Sequence, residues 1–146
     1  MTGLSSAKAE DLPLSFTIEA ERTNYATTDK VILQLKIRNV SENPVELVDF
    51  AQTQSYLLSA GVVRFHIQNG LGEVETLQGP VVDYWPGDRL TTLSKDGTME
   101  TKLIINDFDG RNYYRMGKQA TYRIYAIYNG WGTKAVISNK IALILD

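Results

Sequence analysis

The apolar positions of this chain recur at every second residue, most regularly near its C-terminal end. From Thr121 to Trp131, Tyr122, Ile124, Ala126 and Tyr128 fall on one side of an extended strand and Arg123, Tyr125 and Ile127 on the other. Asn129-Gly130 follows, as a tight turn would require. The pattern predicts a central strand with most other segments folding around it. Upstream, Leu14, Phe16, Ile18 and Ala20 alternate with Ser15, Thr17 and Glu19, a first strand with one wet face. Residues 21–29 are polar and turn-rich, and residues 30–40 predict the second strand, with Val31, Leu33, Leu35 and Ile37 inward. A helix would not hold apolar residues at strict two-residue spacing.

The remaining segments follow the same grammar. After a turn of Asn, Ser and Pro, residues 45–50 predict a short third strand, with Pro44 where no ladder hydrogen bond is lost. Residues 56–59 read as another short strand. Val63, Phe65 and Ile67 alternate into Asn69-Gly70, which predicts a hairpin returning over residues 73–77. A second hairpin is predicted at Lys95-Asp96-Gly97, between residues 89–93 and 98–106, with Met99, Thr101, Leu103 and Ile105 on one face. The last strand covers residues 135–145, with a bulge or bend at Ser138-Asn139. Eight to ten short strands with no sustained helical period predict an all-β antiparallel sandwich. The 146 residues fit one domain over residues 13–146, preceded by a polar tail over residues 1–12. A chain of this size buries roughly 68–70% of its unfolded surface, enough for one core without staples.

Charge and composition narrow the function. With 15 basic and 17 acidic residues the net charge is −2, which argues against nucleic acid and leaves no polybasic patch for anionic lipid. No run approaches the ~18 apolar residues of a membrane span, so no membrane insertion is expected. There is no cysteine, hence no disulfide framework and no thiolate metal site. Ala7-Lys8-Ala9 matches the small-x-small end of a cleaved signal, although residues 1–12 carry no apolar stretch. It tilts the expectation toward a periplasmic or extracellular location over the cytoplasm.

Candidate chemistry is sparse. His66, the only histidine, sits mid-strand on the side shared with Arg64 and Gln68, where a solvated strand face is expected rather than a catalytic base. One histidine also falls short of a zinc ligand set. Asp107, Asp109 and Asn112 form the first half of a calcium-loop pattern but lack the bidentate glutamate, and such residues also simply make turns. No cofactor and no metal are expected. Asn39-Val40-Ser41 is a glycosylation sequon by letter. Tyr84, Trp85, Tyr113, Tyr114 and Trp131 lie in loops or at strand ends, where rings stack on sugars or anchor protein interfaces. The competing reading folds those rings back to cap the sandwich. Tyr122, at its strand's start, fits a tyrosine corner.

The run Leu35-Lys36-Ile37-Arg38-Asn39-Val40-Ser41-Glu42-Asn43-Pro44-Val45-Glu46-Leu47 resembles the second-strand, turn, third-strand segment of immunoglobulin-like sandwiches. It is nearest to the type found in the bacterial intracellular proteinase-inhibitor family and in related exported bacterial domains. Pro86-Gly87 resembles that family's turn before a strand, and Gly117 with Tyr122 its late Gly-x-Tyr strand. Here Lys118 to Thr121 intervene, so inhibitory-loop residues do not transfer position by position. The resemblance implies a Greek-key immunoglobulin-like fold and a non-enzymatic protein–protein interaction module, proteinase inhibition being one form. The alternative is a carbohydrate-binding accessory domain using the loop aromatics. A partner would meet an exposed strand edge or an end-loop patch, with Trp131 the first choice.

Overall fold

Strand β10 (Ala120–Trp131) has partners along both sides. One side pairs with β5 (Val63–Gln68), from Arg123↔Gln68 to Tyr128↔Val63. The other is shared by β12 (Ile141–Leu145) against its first half and β11 (Lys134–Ile137) against its second. The short β2 (Asn24–Tyr25) joins β12 in parallel. The opposite sheet is antiparallel, with β3 (Ile32–Asn39) between β1 (Leu14–Ala20) and β8 (Thr98–Ile104). Two further pairs are β4 (Val45–Val48) with β7 (Leu90–Leu93), and β6 (Leu77–Gln78) with β9 (Tyr113–Tyr114). These features come from a computed structural model that describes residues 13–81, 89–107, 112–131 and 134–146, with only the backbone of residue 131.

The three-stranded sheet β1-β3-β8 packs against the five-stranded sheet of β2, β5, β10, β11 and β12 as an all-β sandwich. The all-β expectation holds, with twelve strand segments among the described residues rather than eight to ten. The tyrosine corner is present: Tyr122 donates its hydroxyl hydrogen to the Lys118 carbonyl at 3.0 Å. No helix among the described residues is long and apolar enough to cross a membrane.

The inward residues fuse the two sheets. Phe16 of β1, Tyr128 of β10 and Phe50 beyond β4 meet with ring centroids 5.6–6.4 Å apart, Tyr128 edge-on to both phenylalanines. Each such ring, once buried, contributes about 1.5–3 kcal/mol. The Tyr128 hydroxyl donates to the Val48 carbonyl at 2.7 Å, tying β4 to the same point. A Cβ on Gly130 would collide with the Tyr128 ring. The glycine of Asn129-Gly130 therefore serves close approach inside β10, not the turn read from the sequence.

Side chains close the sheet edges. At Ile18 the β1 backbone points away from β3; its N–H donates to Asn139 Oδ1 at 2.7 Å and its carbonyl accepts from Asn139 Nδ2 at 3.1 Å. At Ile104 on β8, Gln54 makes the same fork at 2.9 and 2.8 Å. On β5, the Phe65 N–H donates to the Tyr114 hydroxyl at 3.1 Å. Asn139 is presented by the bulge expected at Ser138-Asn139, whose Ser138 hydroxyl accepts from the Ala126 N–H at 2.8 Å.

Several expectations are corrected. Residues 56–59 belong to a helix, α1 (Gln54–Ser59), not a strand: Thr53 caps it, its hydroxyl accepting from the Tyr56 N–H at 3.2 Å. Six residues are too few to show a helical period. The Lys95-Asp96-Gly97 turn does not close a hairpin, because β7 pairs with β4 while β8 pairs with β3. Asn39 directs this change of sheet, since its N–H and carbonyl bond Gly97 and Asp96 and its amide donates to Leu93. After Asn69 the chain does reverse, with Gly72 at φ 83°, but the return makes one bridge, Gln68↔Val74, instead of a strand over residues 73–77. Residues 21–29 contain β2, whose Tyr25 is buried.

The Asn139 fork gives a direct stability prediction. Asn139→Ala should lower unfolding free energy by about 1–3 kcal/mol, since two hydrogen bonds to the β1 edge are lost. Lys36→Ala, on the exposed face of β3, should stay within about 0.5 kcal/mol. Urea denaturation of both variants is the check, and equal midpoints would remove the fork's structural role.

Candidate functional site

The outward-facing positions of the β5–β10–β11/β12 sheet form a surface unlike the outer face of β1-β3-β8. Arg64, His66 and Gln68 project from β5, Thr121, Arg123, Tyr125 and Ile127 from β10, and Ile137, Ala142 and Ile144 from β11 and β12. The register sets Tyr125 directly across from His66, and their rings stack with centroids 4.7 Å apart and planes 11° apart. Lys140, carried on the bulge, places its Nζ 5.9 Å from the Tyr125 ring centre on the other side. A row Lys140–Tyr125–His66 thus crosses three strand positions. Below it, His66, Gln68, Arg123, Tyr125 and Lys140 line a hollow of about 150 Å³.

The charges of this face are one-sided. Arg64, Arg123 and Lys140 are all exposed, no acidic residue occupies any of its outward positions, and none of the three makes an ion pair among the described residues. Ile137 is 62% and Ile144 40% exposed, at positions where alternation calls for polar residues. The outer face of β1-β3-β8 is the opposite case. Gln34 donates to Glu100 at 2.6 Å, and Lys102–Glu21 and Arg38–Asp96 pair at 2.9 and 2.8 Å.

The residues singled out by sequence do not assemble into a site. Tyr84, Trp85, Asp109 and the Pro86-Gly87 turn lie outside the described residues, as does the Trp131 side chain. Tyr114 is corrected from a surface ring to a core one: it is 2% exposed and packs edge-on against Phe65 at 5.9 Å. Tyr113, its neighbour in β9, is half-buried. Adjacent strand residues point to opposite sides, so the pair cannot present two rings to one sugar. Of the calcium candidates, Asp107 faces Lys30 at 3.6 Å. Asn112 is buried, donating to the Pro80 carbonyl at 2.8 Å. Asn39 of the sequon is fully buried and its amide group donates to the Asn43 and Leu93 carbonyls, both at 2.8 Å, leaving no room for a glycan in the folded chain. His66 lies on the wet strand face, as read.

Sequence reasoning passed over Tyr125, Arg123, Arg64, Lys140 and Ile137 as a group, because it looked for aromatics on loops. The available signal was the outward set itself: isoleucines where polar residues belong, and basic residues without acidic ones.

Comparison with known proteins adds little. No family model matches the chain, and no curated protein does. Among solved structures, the β-glucosidase EmGH1 of Erythrobacter marinus is similar at 13% identity and TM-score 0.46, over 91% of this chain and 15% of that one. The lipoprotein candidate YcdA of Bacillus subtilis subsp. subtilis str. 168 is similar at 14% identity and TM-score 0.34, over 88% of this chain and 34% of that one. Neither similarity bears on what this chain binds.

Burial pushes the Tyr114 phenol above its ordinary value of 10.0, with the Phe65 N–H and the Arg64 charge pulling it partly back. Below about pH 10 the phenol is neutral in both folded and unfolded chains and stability does not respond to it. Above that, the unfolded chain ionises first, so stability falls as pH rises through the folded value. Urea denaturation at about pH 8 and about pH 11 should show this loss. Tyr114→Phe should be less stable at the lower pH, having lost the Phe65 bond, but should lose less on going to the higher one. An alkaline loss equal to that of the native chain would reject the assignment.

Proposed function

We propose that this chain is a non-enzymatic interaction module that meets a protein partner through the outer face of the β5–β10–β11/β12 sheet. The observation behind the proposal is the contrast between the two outer faces. One carries acidic and basic residues together, with Arg38 and Lys102 paired to carboxylates. The other combines unpaired cations, a half-exposed tyrosine and exposed isoleucines. Exposed apolar groups grouped around a ring are the makings of an interface core.

Two further points support the face over the alternatives. The edges of β1, β8 and β5 each carry a side-chain cap, so an added strand would have to displace Asn139, Gln54 or Tyr114. The only histidine has its ring in the stack with Tyr125 and makes no hydrogen bond among the described residues. A carbohydrate-binding role needs two rings on one surface and cannot draw on Tyr114. Proteinase inhibition remains one form of the proposed role, and location outside the cytoplasm a part of it that rests on Ala7-Lys8-Ala9.

The test is site-directed photo-crosslinking in the source cells, with a benzophenone amino acid at position 137 or, as the control face, at position 17. A discrete protein adduct from position 137 and none from position 17 is expected. Adducts from position 17, or from neither, would reject this face.

A further inference from the structure

We infer that this face recognises an acidic polypeptide segment, one of whose carboxylates sits beside Tyr125 between Arg123 and Lys140. The inference rests on the proposed interaction role and names the chemistry of the partner.

Charge complementarity carries it. Arg64, Arg123 and Lys140 have no carboxylate within 4 Å among the described residues; Lys36, Arg115 and Lys118 have none either, but Lys36 shares its hollow with Glu19 and Glu100, and Arg115 and Lys118 share theirs with Glu73 and Glu75. The chain as a whole is acidic, at −2, so a surface free of acidic residues is not a consequence of composition. Arg123 offers a planar fork that matches a carboxylate, and Lys140 offers a point charge across the same hollow. Gln68, at the rim, adds an amide donor. The hollow, at about 150 Å³, holds one side-chain head group. It is well short of the roughly 300–1,000 Å³ of a small-molecule site.

The surroundings favour a peptide chain over other anions. Ile127 and Ile137 pair across β10 and β11 on one side of the hollow, and Ile144 lies beyond Ala142 on the other. Apolar groups flanking a charge suit a segment that alternates acidic and aliphatic side chains. Three cations are few for nucleic acid, where phosphate neutralisation supplies most of the affinity. A second copy is disfavoured, because a two-fold contact would set these cations against themselves.

The probe is a fluorescent heptapeptide of glutamates with two leucines, titrated by anisotropy against the full chain. Its control is the same peptide with glutamine for glutamate. Binding of the acidic peptide, weakened by added salt and about tenfold or more by Arg123→Glu or Lys140→Glu, is expected. Arg123→Lys should recover part of it. These side chains are exposed, so thermal denaturation should confirm that the variants fold. Failure of the native chain to bind, equal binding of the glutamine peptide, or indifference to the reversals would overturn the inference. Tighter, reversal-sensitive binding of a single-stranded oligonucleotide or of phosphatidylserine vesicles would overturn it too. The photo-crosslink from position 137 separates the two levels: an adduct that persists in Arg123→Glu keeps the face but rejects the acidic partner.

Discussion

A three-stranded sheet has two edges for one interior strand, and this sandwich depends on how those edges are closed. β1 and β8 each present backbone groups that no neighbouring strand can meet, and each is met by a single carboxamide, Asn139 or Gln54. An amide suits the task because it carries one donor face and one acceptor face, the same pair that a strand would offer. The Asn139 fork also joins the sheets. It rises from the break between β11 and β12 in one sheet and grips the first strand of the other, two residues from Phe16. The bulge that presents it would leave the Ala126 N–H without its ladder partner, and the Ser138 hydroxyl takes that bond. The aromatic contact of Phe16, Phe50 and Tyr128 is thus framed by a polar closure at the rim.

Closing the edges has a consequence for recognition. An open edge invites any extended chain, since main-chain hydrogen bonds carry little sequence information. With the edges of β1, β8 and β5 capped at Ile18, Ile104 and Phe65, the proposed interaction role would draw its selectivity from side chains on the faces. The two faces have the same strand grammar and differ only in what fills the outward positions. On one face acidic and basic residues stand together, with Arg38 paired to Asp96 and Lys102 to Glu21. Arg64, Arg123 and Lys140 stand on the other without an ion pair among the described residues.

Much of the fold was legible because strand alternation is local. Val31, Leu33, Leu35 and Ile37 are all buried, and so are Tyr122, Ile124, Ala126 and Tyr128, as their spacing implied. Pairing was not legible, because it depends on distant residues. Nothing near Lys95-Asp96-Gly97 says that Asn39, more than fifty residues earlier, will hold that turn and send β8 into another sheet. Glycine was ambiguous for a physical reason: it permits turns and it permits close approach, and Gly130 does the second beneath Tyr128. The site was obscured by giving weight to residue type over position. Tyr114 is an aromatic in a loop-like stretch, yet it serves the core. Tyr125 is an aromatic in scaffold, yet it lies on the outer face.

The apolar residues of that outer face also bear on self-association. Exposed Ile137 and Ile144 on one sheet face would ordinarily invite self-association. Three like charges on adjoining strands act together, because the Debye length of about 8 Å at physiological salt spans neighbouring strands. They would repel a second copy of the face while leaving it open to the acidic partner proposed. The same charges would set the approach of such a partner, since complementary fields raise association rates more than they deepen binding. Residence would come instead from the isoleucines and the Tyr125 ring, which gain only when water is excluded. On the proposed role the cations would select and the apolar groups would hold, and neither set alone would make the face an interface.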